Sequence, residues 1–343
     1  MTEILLRELT RSDIDWMATA GQRRIFAAGA TVLEAEATDY DMYLILEGAL
    51  ALLLPGAEEM QELSVLSSGD ILGSFFLFNS YSFPVTVQAK EASLLLAIPQ
   101  SVMLDKLQKD EAFSARFFRA MALLLAHRQQ EIIQRSPRSL VIQSLFEKGM
   151  LSTFSCLQDG DLCWFCSRGQ VQRVEPGWRI PEGKPLDALY ILLKGSLAML
   201  VCNQQRQALS LAFGAVESTA ADCVAELQPG EILGVTQMLG LGTNPYAIEA
   251  TVDSLLLAVP LSQLNTQLQA DPGFASRLYR ALASVTADRT QRILLRLRTE
   301  RISAPTMSQM RNESEALGVE VLQQMSVARA KFNWLLKQLD VKV

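Results

Sequence analysis

The chain has 343 residues, 49% hydrophobic and 20% charged, with a formal net charge of −6. That balance belongs to a well-buried globular protein long enough for two cores, and it excludes a disordered chain and a general nucleic-acid binder. A single histidine, His127, excludes multi-His metal sites, and five cysteines with no leader pattern at the start and no long apolar run predict reduced thiols, a cytoplasmic location and no membrane span.

Residues 3–20 read as a helical lead-in. Leu5, Leu6 and Leu9 share a face, and Arg11-Ser12-Asp13 offers an N-cap for a turn carrying Ile14, Trp16 and Met17. From Gln22 the period changes to short runs of strand length: Thr31–Leu33, Met42–Leu46, Ala49–Leu54 and Ser93–Ile98. Gly29, Gly48, Pro55-Gly56, Ser67-Ser68-Gly69 and Pro84 punctuate them, as turn residues do between the strands of a sandwich or jelly roll. After Pro99 the pattern turns helical. A short helix spans Ser101–Gln108, and Asp110 caps a long one with Phe113, Phe117, Met121 and Leu124 inward, which Ser136-Pro137 ends.

The layout then repeats. Trp16, Gly21, Gln22 and Gly29 recur 148 positions on as Trp164, Gly169, Gln170 and Gly177. Gly69, Leu72, Gly73, Ala89, Pro99, Phe113, Arg116, Arg119 and Arg128 recur 161 positions on, from Gly230 to Arg289. The added length falls between Cys202 and Cys223. This is a duplicated unit of strands followed by helices. The predicted boundaries are 1–135 and 161–300 for the two domains, 136–160 for a linker, and 301–343 for a tail. Within the tail, residues 316–340 form an amphipathic helix with Leu322, Met325, Phe332, Leu335 and Leu339 near one face.

The most informative stretch is Gly69-Asp70-Ile71-Leu72-Gly73-Ser74, which returns as Gly230-Glu231-Ile232-Leu233-Gly234-Val235. Two glycines at a strand exit make a place where backbone can close around an anion. On these residues, with Gly177, Glu182-Gly183, Asp187–Leu192 and Gly195, each half resembles the cyclic-nucleotide-binding domain of the Crp and protein-kinase-A regulatory-subunit superfamily. The resemblance implies two tandem jelly-roll domains of the double-stranded β-helix kind, mainly β with helices, each followed by a long helix, with a phosphate-binding cassette at the paired glycines. Ser12–Met17, Phe113–Ala120 and Ala328–Leu336 further resemble the cyanobacterial tandem proteins called bacteriocin-type transport-associated proteins.

In ligand-binding members a glutamate follows the second glycine and takes the ribose hydroxyl, and an arginine about ten residues later pairs with the cyclic phosphate. Here Ser74 and Val235 hold the glutamate position, and Phe83 and Asn244 the arginine position. No Arg or Lys occurs from 74 to 89 or from 235 to 250. Losing the guanidinium and the ribose acceptor costs several kcal/mol on the usual scale of buried charge pairs. Gly73, Ser74, Phe83, Gly234, Val235 and Asn244 therefore outline two degenerate cassettes.

Other motifs weigh less. Cys163-Trp164-Phe165-Cys166 has dithiol spacing, but its counterpart is Asp15-Trp16-Met17-Ala18, so it reads as a helix packing Trp164. Arg289, Arg292, Arg296, Arg298 and Arg301 make one helix end basic, as a solvated face also does. Arg119 and Arg280 occupy equivalent points on the long helices, where they either close over the pocket or salt-bridge the barrel. The tail is too short for a winged helix-turn-helix, so no DNA contact is expected. No cofactor, metal or catalytic constellation is expected.

The sequence thus predicts a non-catalytic regulatory or adaptor protein with a protein partner. Helices 111–134 and 272–298 carry apolar stripes that pack on each other within one chain or between chains, the latter giving a homo-oligomer. The alternative is a small-molecule sensor with a changed ligand, in which Tyr81, Phe83 and Tyr246 stack on a ring.

Overall fold

The computed structural model describes residues 2–35, 41–55, 60–73, 77–78, 85–134, 152–202, 221–242, 247–301 and 319–341. The chain divides into two compact units, Met1–Ser144 with Gln269–Ser326 and Leu145–Leu268 with Val327–Val343.

The first unit opens with helices α1 (Thr2–Glu8) and α2 (Arg11–Ala20), followed by strands β1 (Gln22–Phe26), β2 (Thr31–Leu33), β3 (Met42–Glu47) and β4 (Ala49–Pro55). Next come β5 (Met60–Ser67), β6 (Ile71–Leu72), β7 (Thr86–Ala89), β8 (Ser93–Ile98), α3 (Gln100–Lys109) and α4 (Glu111–Gln134). The strands form two antiparallel sheets, β1-β8-β3-β6 and β2-β7-β4-β5. Met42, Ile45, Leu50, Leu54, Leu95 and Ile98 are fully buried in the unit's core. Each such aliphatic side chain contributes about 1.5–3 kcal/mol when taken out of water.

In the second unit the chain runs through α5 (Ser152–Cys156), α6 (Asp159–Arg168), β9 (Gln170–Val174), β10 (Arg179–Ile180), β11 (Ala188–Lys194) and β12 (Leu197–Cys202). It continues with β13 (Ala221–Leu227), β14 (Ile232–Leu233), α7 (Val235–Met238), β15 (Ala247–Ala250), β16 (Ser254–Pro260) and α8 (Leu261–Ala270). Its sheets, β14-β11-β16-β9 and β10-β15-β12-β13, repeat the strand order of the first unit element for element. Even the irregularities coincide: the ladder shifts at Ile45/Glu47 in β3 and at Leu192/Lys194 in β11. The length added to the second copy lies outside the described residues at 203–220, as does the helix-ending Ser136-Pro137.

A long helix, α9 (Pro272–Arg301), belongs to the first unit and packs along α4. Ser114 and Ser276 hydroxyls meet at 2.7 Å, and the Arg119 guanidinium lies 5.9 Å from the Tyr279 ring while that of Arg280 lies 5.8 Å from the Phe118 ring. Positions 118 and 119 thus exchange partners with their copies 279 and 280, which is what a local two-fold axis between parallel helices generates. The two long helices pack within one chain. Arg119 also pairs with Glu8 of α1 at 2.8 Å, a salt bridge to the leading helix and not to a barrel strand.

The start of α2 differs from the sequence expectation. Its N-cap is Thr10, whose Oγ1 accepts from the Asp13 amide at 3.2 Å, while the Asp13 carboxylate accepts from the Thr10 amide at 2.8 Å. Asp13 serves as the third residue of a capping box, not as part of the cap itself. The same carboxylate takes a two-pronged pair from Arg116 of α4, at 2.7 and 2.8 Å. Asp110 caps α4 as expected, its Oδ1 accepting from the Phe113 amide at 2.8 Å.

Helix α10 (Val319–Gln338), whose residues from Val327 on belong to the second unit, buries Phe332, Leu335 and Leu336 and leaves Met325 exposed, with Leu339 partly buried and the Leu322 side chain outside the described residues. The Phe332 ring stands 5.2 Å from that of Phe154, and Lys331 Nζ donates to the carbonyls of Ser155 and Leu157. The helix ends in a Schellman turn, with Val341 N donating to Leu336 O at 2.9 Å and Asp340 N to Lys337 O at 3.2 Å. Asp340 takes the left-handed position with φ of 54°. No described helix is long and apolar enough to cross a membrane.

Two outcomes test these contacts. Burial raises the Asp13 pKa, but hydrogen bonds from Arg116 and Thr10 and the Arg116 charge outweigh it and hold the carboxyl below its ordinary 3.8. A folded value below the unfolded one stabilises fully above about pH 5 and fades as the pH falls through the folded value. Asp13→Asn should therefore cost about 1–3 kcal/mol at neutral pH, and less as the pH drops below 3.8, in urea melts across that range. Asp340→Gly should raise stability by about 0.5–1 kcal/mol, since glycine takes the left-handed turn position without the side-chain penalty.

Candidate functional site

The first cassette begins where β5 turns into β6. Gly69 N donates to Ile45 O at 2.9 Å and Ile45 N to Asp70 O at 3.0 Å, so the turn is hydrogen-bonded to β3 on both sides. β6 then pairs Ile71 and Leu72 with Leu44 and Tyr43. Gly73 follows, buried, with φ of +80°, a conformation that L side chains rarely adopt. The second cassette repeats this construction: Gly230 N donates to Leu192 O at 2.7 Å and Leu192 N to Glu231 O at 2.9 Å. Gly234 has φ of +89°, and a Cβ there would sit 2.7 Å from Ala188 O, so only glycine fits without moving backbone. Val235 opens the single turn of α7.

The structure thus places Gly73, Gly234 and Val235 at the ends of their β6 and β14 strands, with Val235 partly buried. Ser74, Phe83 and Asn244 lie outside the described residues, as do Tyr81 and Tyr246.

The residue that sequence reasoning missed is Arg128. The loop from 74 to 89 has no Arg or Lys, and the cation comes instead from α4. Arg128 Nη2 lies 2.9 Å from Asp70 Oδ2, with the two side chains only 11% and 5% exposed. Its Nη1 donates to Ser64 Oγ at 2.9 Å, to Val65 O at 3.0 Å and to Glu131 Oε2 at 2.8 Å. Asp70 Oδ2 also accepts from the Ser67 amide at 2.7 Å, closing the turn into the cassette. One guanidinium therefore bolts the β5–β6 corner to the long helix. The available signal was recurrence: Arg128 and Arg289 stand 161 positions apart, as do the acids Asp70 and Glu231.

Beside this clamp lies a cavity of 40 Å³. Leu52, Leu66 and Leu72 of the barrel, Met121 and Leu124 of α4, and Leu294 of α9 make its walls apolar, with Gly73 and Arg128 at one side. That volume admits about one water molecule, whereas small-molecule pockets begin near 300 Å³. The neighbouring cation, Arg128, is already bonded to four acceptors.

The remaining candidates are dispersed. Cys163 is exposed and Cys166 half-buried on α6, and burial followed by the neighbouring Cys163 pushes the Cys166 thiol up, away from the reactive thiolate. Trp164 and Phe165 meet edge-to-face at 5.5 Å, in line with a packing helix. Among the described residues no group of three His, Cys, Asp or Glu side chains converges as metal ligands do.

The clamp is testable by a double-mutant cycle. Arg128→Met strands the buried Asp70 carboxylate and should cost about 3–5 kcal/mol in denaturant melts. Adding Asp70→Asn should recover part of that loss, with a coupling energy above about 1 kcal/mol.

No curated protein matches the sequence. Among solved structures, the chain is similar to the catabolite activator protein of Thermus thermophilus at 18% identity, over 45% of this chain and 68% of that one, with a TM-score of 0.34. It is similar to a transcriptional regulator of Thermotoga maritima at 30% identity, over 28% of this chain and 77% of that one, with a TM-score of 0.26. It is also similar to a cAMP-bound triple variant of the regulatory subunit of a cAMP-independent protein kinase A from Trypanosoma brucei. The identity there is 16%, over 80% of this chain and 89% of that one, with a TM-score of 0.28. Residues 23–110 match the family model of the cyclic nucleotide-binding domain, so this stretch, from β1 to Asp110, carries a domain of the cyclic-nucleotide-binding superfamily.

Proposed function

We propose that the chain is a cytoplasmic, non-catalytic regulatory protein with two tandem jelly-roll domains of the cyclic-nucleotide-binding kind. It acts through contact with a protein partner and not through an ordinary cyclic nucleotide. The observation that carries this reading is the Asp70–Arg128 clamp beside a 40 Å³ apolar cavity. A ligand-binding cassette needs an open space and a free cation for the phosphate. In the first copy the long helix supplies leucine and methionine to the space and engages its own arginine with the turn.

The matching strand order of the two units supports the tandem arrangement, with domains at 1–135 and 161–300. The resemblance to the tandem bacteriocin-type transport-associated proteins agrees with it. Packing of α4 on α9 within one chain favours a protein whose long-helix faces are already satisfied, leaving the outer surfaces for a partner.

A second reading has one observation in its favour. Both cassettes keep their left-handed glycines, and Gly234 tolerates no Cβ, so the strand exits from which a backbone cradle would start are kept in both copies. A sensor for a different ligand would use that cradle.

Calorimetry separates the two. Titration with cAMP, cGMP and cyclic dinucleotides should give no heat at millimolar ligand. Micromolar binding of any of them, lost in Gly73→Ala or Gly234→Ala variants that still melt cooperatively, would replace the adaptor reading with the sensor one.

A further inference from the structure

The second unit holds a cavity of 290 Å³ between the end of β11 and the face of α10. Leu193, Phe332, Leu336 and Val341 make its walls apolar, and Pro229, immediately before the cassette glycine Gly230, closes one side. Its rim is charged with one sign. Lys194 and Arg329 line it, and among the described residues no carboxylate does. Arg329 has no ion pair with any described residue, and Asn333, one helical turn further along the same face, has no hydrogen bond with one.

The walls are fixed in place. Phe332 is held by its ring contact with Phe154, and the neighbouring Lys331 ties α10 to the carbonyls that end α5. Val341 is turned back onto Leu336 by the Schellman hydrogen bond at 2.9 Å. An apolar space of this size, standing open beneath an unpaired guanidinium and an amide, has the layout of a ligand pocket: a dry floor for a hydrocarbon and a few polar groups that fix one end.

We propose that this pocket binds a small amphipathic carboxylate, its hydrocarbon tail against Phe332 and Leu336 and its carboxylate on Arg329 and Asn333. Arginine presents paired donors that match a carboxylate's geometry, and the absence of acidic residues in the lining leaves an anion unopposed. At about 30 Å³ per water-sized group the space of 290 Å³ holds about ten such groups, the size of a medium-chain fatty acid. A tail seated there touches Pro229 and thus the turn that leads into the second cassette. Occupancy of this site is independent of whether either cassette takes a cyclic nucleotide.

The probe is octanoate, titrated into the full chain by calorimetry and followed through tryptophan fluorescence, with Trp334, next in sequence to the lining Asn333, as one reporter; 1-octanol and octylammonium serve as neutral and cationic comparators. Octanoate should bind saturably with one site per chain, and octylammonium should not. Arg329→Gln should weaken octanoate about tenfold or more and leave 1-octanol unchanged. Asn333→Trp, which fills the mouth from an exposed position, should abolish both without lowering the melting temperature. Absence of saturation up to about 10 mM octanoate, a preference for octylammonium, or saturable binding that neither variant alters would overturn the proposal.

Discussion

A single buried guanidinium ties the start of the first cassette to the long helix. Arg128 leaves α4 and reaches the corner between β5 and β6, where a carboxylate, a hydroxyl, a backbone carbonyl and a second carboxylate receive it. Burying a charge is costly, and the pair does not stabilise more than a well-packed apolar contact would. What it supplies is register. Of the donors on α4 that could meet this corner, Arg128 alone holds Asp70, and with it the position of the glycine that ends the strand. Met121, Leu124 and Leu125 of the helix line the cavity of 40 Å³ beside this corner.

The same logic recurs at the other end of the unit. Asp13 closes the capping box of α2 and simultaneously pairs with Arg116, so the start of one helix and the first turns of another are fixed by one carboxylate. Asp13 and Asp70 stand at opposite ends of α4, each buried and each answered by an arginine from it. The helix is thereby set against the barrel in both translation and rotation, and its remaining apolar stripe meets α9.

Much of this was legible in the sequence. Strand-length apolar runs separated by glycine and proline located the sheets, and recurrence at near-constant spacing predicted a second set with the same strand order. The long helices were visible from Asp110 and from the spacing of Phe113, Phe117 and Met121. The cap of α2 was misplaced because Thr10, Ser12 and Asp13 are all cap formers, and only the three-dimensional partner of Asp13 distinguishes a cap from the acid three residues inside. Arg128 was overlooked for a different reason. Nothing local marks a residue that acts across the fold, since its partner lies far back in the chain and the search was confined to the loop itself. The cavity beside α10 had no sequence signal at all; it arises where two elements meet imperfectly, which no residue pattern encodes.

The composition of the first unit from two separated stretches of chain bears on how the protein is made. Residues 1–144 and 269–326 fold together, so the polypeptide of 145–268 must be synthesised before α9 exists. At ordinary translation speeds of about 5–20 residues per second, the apolar side of α4 waits on the order of ten seconds for the helix that covers it. During that interval the side of α4 that α9 will cover has only solvent, the ribosome surface or a chaperone to face, although Phe118 also packs on Phe78 of its own stretch. The second unit lies mostly within one intervening stretch, and most of its sequence emerges while the earlier unit is still incomplete. Completion of the two is thus interleaved in time: the first unit waits for α9, and the second for the residues from Val327 on.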